Sequence, residues 1–116
     1  MDTKFKTLFT ESLQAQIHAL AAEANALSAA DRADECHHKK AACNVYGIFA
    51  QLALSAKDAP DYEALFETIP ANWRSARALA LDHGDFARAA MEDVKLTALE
   101  EIKALYFAMK AGDPHA

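Results

Sequence analysis

The sequence predicts an all-α fold: an up-and-down antiparallel bundle of four principal helices, the third broken or kinked at Pro70. Two observations carry this expectation. Apolar side chains recur every three to four positions through four long segments, the period of one helical face rather than the alternation of a strand. Glycine is also scarce, 3 in 116 residues, and Gly84 and Gly112 each close a long Ala- and Leu-rich stretch. Gly tolerates the left-handed geometry just past a helix end, so these positions divide the chain into long helices with short connections. The bundle is expected to occupy residues 1–111 as one domain, with residues 112–116 a frayed tail.

Each helix is read from its stripe and its ends. The first is capped by Asp2 or Thr3 and runs to about residue 27, with Phe5, Phe9, Leu13, Ile17, Leu20, Ala24 and Leu27 along one side. Ser28 is expected to cap the second, over residues 29–56, with Asp31 favouring its positive end. That helix changes character midway. Residues 31–40 are almost wholly polar, whereas residues 41–54 are apolar nearly all round and must be covered on every side. Gly47 inside it implies a neighbouring helix crossing close by, since Gly there costs about 1 kcal/mol against Ala. Tyr62, Leu65, Phe66 and Ile69 make a short amphipathic piece. Pro70, which lacks an N–H, opens a new stretch to about residue 83 with Trp73, Ala76, Leu79 and Ala80 inward. The last helix, residues 86–111, is capped by Asp85. It turns Ala90, Val94, Ala98, Ile102, Leu105 and Met109 inward, with Leu99 and Tyr106 widening the stripe. Glu92 with Lys95 and Glu100 with Lys103 sit at a spacing suited to a solvated face.

Composition narrows the function. A hydrophobic fraction of 53% argues against disorder, and a formal charge of −5 with scattered Lys and Arg argues against nucleic acid as a partner. The first residues lack the apolar core of a signal peptide and no run is long enough to span a membrane, so the expected location is the cytoplasm, with no membrane partner. Cys36 and Cys43 stand seven residues apart on one helix. That separation is about 10.5 Å of rise, beyond disulfide reach, so both are expected to be reduced and structural. No Ser or Thr has a base at helical spacing, which leaves nucleophilic catalysis without support.

Three constellations suggest chemistry. Asp31, Glu35 and His38 fall at i, i+4 and i+7, and Glu35 with His38 has the Glu-x-x-His spacing of ferritin-like bundles, which it resembles. That resemblance implies a carboxylate–His site for iron, manganese or zinc. A second Glu-x-x-His is missing, and the competing reading is a solvated face carrying charge pairs. Arg32 with His37 or His38, and Arg77 with His83, match the Arg-to-His spacing of HEPN-type helical nucleases, a resemblance that implies RNA cleavage. The polar residue that follows the Arg in that family is replaced here by Ala33 and Ala78. Arg74, Arg77 and Arg88 are placed to hold a carboxylate or phosphate, or to pair with Asp82 or Glu92. Residues 76–90, with His83-Gly84-Asp85-Phe86 between helices, are also similar to the turn of a tetratricopeptide repeat. The repeat's Pro and a second copy are absent, so no tandem array is expected.

The leading expectation is a non-enzymatic bundle, with no cofactor, that self-associates into a homo-oligomer or binds a protein partner. Tyr46 and Phe49 on the all-round apolar half, and the adjacent Tyr106 and Phe107, are the expected interface, because neighbouring helical positions cannot both face one core. A metal-binding bundle using Glu35 and His38 is the alternative, and a HEPN-like RNase ranks below it.

Overall fold

The computed structural model describes residues 1–113 and has the architecture expected, an all-α bundle. Its helices are α1 (Thr3–Ala29), α2 (Ala33–Ser55), α3 (Ala59–Thr68), α4 (Pro70–Asp82) and α5 (Phe86–Gly112). The segments α3 and α4 together are the third principal helix. Ile69 between them keeps helical dihedrals, φ −66° and ψ −46°, so Pro70 bends the path without unwinding it. The expected frayed tail falls, from residue 114 onward, outside the described residues.

Helix ends follow their local chemistry. The Asp2 carboxylate accepts from the Phe5 N–H at 3.1 Å, and Asp58 does the same for Asp61 at 2.9 Å. At the α4–α5 turn, Gly84 has φ 70°, the Gly84 N–H bonds to Leu81 O and the Asp85 N–H to Ala80 O. This is a Schellman stop, and Asp85 then caps α5 through the Arg88 N–H at 3.1 Å. The first turn uses the same device three residues later than expected, at Asp31 rather than Ser28. Ser28 does not cap α2; it lies inside α1, which continues through the Ala-rich residues 26–29 because Ala is the strongest helix former. The reversal occurs at Asp31, with φ 63°, where the Asp31 N–H bonds to Ser28 O and the Arg32 N–H to Leu27 O. Asp is one of the few side chains that tolerates this region.

The core is concentrated at one end. Phe5, Phe9, Phe49, Tyr62, Phe66 and Tyr106 are all at most 2% exposed. Their rings meet edge-on, stacked or, between Tyr62 and Tyr106, tilted, at centroid distances from 5.3 to 6.3 Å. The Tyr62 hydroxyl donates to Phe49 O at 2.9 Å, tying α3 to α2. Across α3 and α5, the Tyr106 hydroxyl and the Lys110 ammonium both donate to one Glu63 oxygen. Lys6 reaches the carbonyls of Leu54, in the last turn of α2, and of Ala56 just past its end, which have no helical partner. The other end buries mainly small or medium side chains: Leu20, Ala24, Cys36, Ala80, Ala89 and Ala98.

Helices pack in the order α1 on α2, α2 on α5 and α5 on α4, while α1 and α5 touch only lightly. The molecule measures 46 × 34 × 21 Å, about two helix diameters thick. Four expectations need correction. Leu79, expected on the inner face of α4, is 58% exposed. Gly47 has nothing within 4 Å of where a Cβ would stand, so no helix crosses close there. The apolar half of α2 is not covered all round: Val45, Tyr46, Phe49, Ala50 and Ala53 are buried, but Ile48 and Leu54 stay exposed. The stripe of α5 is rotated in its first half, where Ala89 and Glu92 are buried and Ala90 and Val94 only half-buried, because α4 covers that side.

Two substitutions follow from these backbones. Gly47→Ala, in open space on a helix interior, is expected to stabilise the fold by about 1 kcal/mol. Asp31→Gly should also stabilise it, by about 0.5–1 kcal/mol, by removing left-handed strain. Denaturant melts of both variants measure this, and a lowered midpoint for either contradicts the corresponding assignment.

Candidate functional site

The residues singled out by sequence do not gather into one site. Asp31 is held in the turn before α2, so it does not share a helical face with Glu35 and His38. Glu35 is exposed and forms an ion pair with Arg32 one turn back. His38 is half-buried on the side of α2 toward α5. Among the described residues, no group of three or more His, Cys, Asp and Glu side chains is arranged to hold a metal ion. Cys36 and Cys43 are both free thiols.

The Arg and His pairs are likewise dispersed. Arg77 bonds through Nε to the Asp93 carboxylate on α5, and not to Asp82 or Glu92. His83 sits exposed at the end of α4. The expected interface also needs correction. Tyr46, Phe49 and Tyr106 are 5%, 0% and 0% exposed and belong to the chain's own core, whereas Phe107 keeps 40% of its surface. Sequence spacing misplaced them because α3 is short and aromatic: Tyr62 and Phe66 enter the bundle and supply the partners that a second subunit seemed needed to provide.

A concavity with a volume of about 390 Å³ lies where α1 and α5 stand apart over α2. Gln16, Leu20 and Glu23 form the α1 wall, and His38, Lys39 and Ala42 form the floor. The α5 wall is Asp93, Val94, Thr97, Ala98 and Glu101. The groove follows from the sequence of α2, whose first half carries no large apolar side chain to draw α1 and α5 together. Its charged groups are arranged. Glu23 pairs with Lys39 at 2.8 Å, and Asp93 is bound by Arg77 from outside. Glu101 is held by the Tyr46 hydroxyl, which donates to its Oε2 at 2.8 Å. A second recess shares His38 and sets it with Asp34 and His37 opposite Ala87, Ala90 and Met91.

Burial raises the Tyr46 phenol well above its ordinary value, and the hydrogen bond and negative charge of Glu101 raise it further. Tyr62 is raised by burial and then by Tyr106, and Tyr106 by burial and then by Glu63. In each case the neutral phenol is the form the fold holds.

Glu92 was expected on a solvated face and is buried instead, at 5% exposure. Its Oε1 accepts from Lys95 at 3.2 Å, while Oε2 is buried with no hydrogen-bond partner. Lys95 in turn lies over the Trp73 ring of α4, 5.9 Å from its centroid. A Glu–Lys pair at i, i+3 reads as surface in sequence. Only the packing of α4 on α5 distinguishes it from a buried one.

No family model, curated protein or solved structure matches the chain.

Two predictions arise here. The folded state holds its tyrosine protons more tightly than the unfolded chain. That contribution to stability is complete below the ordinary tyrosine value of about 10 and is lost as pH rises beyond it. Phenolate absorbance should therefore develop above about pH 10 together with unfolding, and a titration centred near 10 with no loss of fold contradicts this. Glu92→Met should raise stability by about 1 kcal/mol, since it removes a buried oxygen without a partner and leaves Lys95 able to reach water. A destabilised variant in urea melts would mean that the carboxylate is better compensated than its geometry indicates.

Proposed function

We propose that this protein works by binding other polypeptide chains, a second copy of itself first, rather than by catalysis. The observation that carries this reading is the apolar surface left on the α4–α5 hairpin. Phe86 is 71% exposed at the start of α5, with Leu79 at 58% and Leu81 at 40% at the end of α4. A Phe moved from water into an interface contributes about 1.5–3 kcal/mol, and aromatic anchors of this kind dominate binding energy where they occur. A standard interface takes about 800 Å² from each partner, roughly an eighth of the 6782 Å² this chain exposes. The hairpin tip is also stiff. It is fixed by the Gly84 stop and the Asp85 cap, so little ordering entropy opposes docking.

The reading moves the expected contact surface away from Tyr46, Phe49 and Tyr106 to residues that the bundle leaves uncovered. Phe107 remains a second apolar position at the opposite end of α5.

Sedimentation across the micromolar range tests the proposal directly. The wild-type chain is expected to be dimeric or larger, and Phe86→Ser combined with Leu79→Ser to be monomeric. Both substitutions are at exposed positions, so the double variant should stay within about 1 kcal/mol of the wild-type stability. A wild-type chain that stays monomeric throughout, or a variant that associates equally well, refutes the assignment.

A further inference from the structure

We propose that the groove between α1, α2 and α5 is a docking site for a basic amphipathic helix supplied by another protein. The inference rests on the reading of this chain as a protein-binding bundle but concerns a different surface from the Phe86 hairpin. Shape is the first argument. The groove has two walls and a floor of helix, and the ring contacts between α1 and α5 lie at the aromatic end, away from it, so one side of the packing is open. Its α5 wall runs from Asp93 to Glu101, about 12 Å or two helical turns. An incoming helix presents anchors at i, i+4 and i+7 over the same length. Ala42 and Val94, both half-buried, offer small and medium apolar surface to receive them, above Leu20 and Ala98, which the bundle itself buries.

Charge decides the chemistry of the occupant. Three carboxylates line the groove, Glu23, Asp93 and Glu101, against the single ammonium of Lys39. Lys39 answers Glu23, and Arg77 answers Asp93 from α4. Among the described residues, no cation pairs with Glu101: its partner is the neutral hydroxyl of Tyr46, a side chain 5% exposed and therefore fixed in place. A carboxylate oriented by a buried donor, with its charge uncompensated, is complementary to a Lys or Arg on the polar flank of a docked helix. Asp93, Thr97 and Glu101 share one face of α5 at intervals of four, so a basic helix meets polar groups along its length. A second copy of this chain, at net charge −5, is the less complementary occupant.

Fluorescence anisotropy with two labelled Leu/Ala amphipathic helical peptides of equal length tests this, one carrying Lys and the other Glu on the polar face. The Lys peptide is expected to bind with micromolar affinity, more weakly as salt rises, and the Glu peptide not to bind. Glu101→Gln should weaken the Lys peptide about fivefold, the worth of one partly exposed ion pair. Thr97→Trp, at an exposed wall position, should abolish binding while circular dichroism shows an intact helical fold. Binding should be unchanged in the Phe86→Ser variant, so loss of self-association there bears on the hairpin and not on the groove. Equal binding of the two peptides, binding of neither, or affinity untouched by both Glu101→Gln and Thr97→Trp overturns the proposal.

Discussion

The structure depends on where its aromatic side chains can bury polar tips. Tyr62 and Tyr106 are both fully enclosed, and a phenol in that position needs a partner for its hydroxyl. Tyr62 finds Phe49 O, and Tyr106 finds Glu63. Those two bonds tie α3 to α2 on one side and to α5 on the other. The rings of Phe5, Phe9, Phe49 and Phe66 fill the space around the pair, so most of the large apolar surface is spent at one end of the bundle. Everything beyond is held by Ala, Leu and a few charged contacts. The groove, the recess beside His38 and the light meeting of α1 with α5 are consequences of that uneven distribution.

Much of the fold was legible because it is written in local chemistry. Asp2, Gly84 and Asp85 act at helix ends as their side chains, or the lack of one, dictate, and Pro70 bends the third helix where it removes a donor. The spacing from Phe5 to Ala24 identifies the buried side of α1 with only Ile17 left half-covered along that run. What escaped reading depends on neighbours distant in sequence. Ser28 has the right side chain for a cap, yet the Ala residues around it prolong α1, and Asp31 takes the turn. Gly47 invites a close crossing that no helix makes. Glu92 and Lys95 have the spacing of a surface pair, and only the approach of α4 reveals that Glu92 is enclosed.

The candidate site was less legible than the fold. The dense polar run of residues 31–40 attracts attention as chemistry, but its side chains diverge: Asp31 into a turn, Glu35 toward Arg32, His38 toward α5. Its structural importance is different. By lacking bulk, it keeps α1 and α5 apart and so creates a concave surface whose most pointed feature, Glu101, comes from another helix and is aimed by Tyr46. Position in sequence gave no hint of that link, because the two residues belong to helices far apart in the chain.

The bond between Tyr46 and Glu101 also joins two regions with different resistance to opening. One partner is anchored among the rings, and the other stands on the rim of the thinly packed half. Amide hydrogens around residues 20–42 are guarded by small side chains and should exchange with solvent well before those near Tyr62. A ligand seated against Glu101 would slow that exchange from the rim inward, and the change would be readable at positions it never touches.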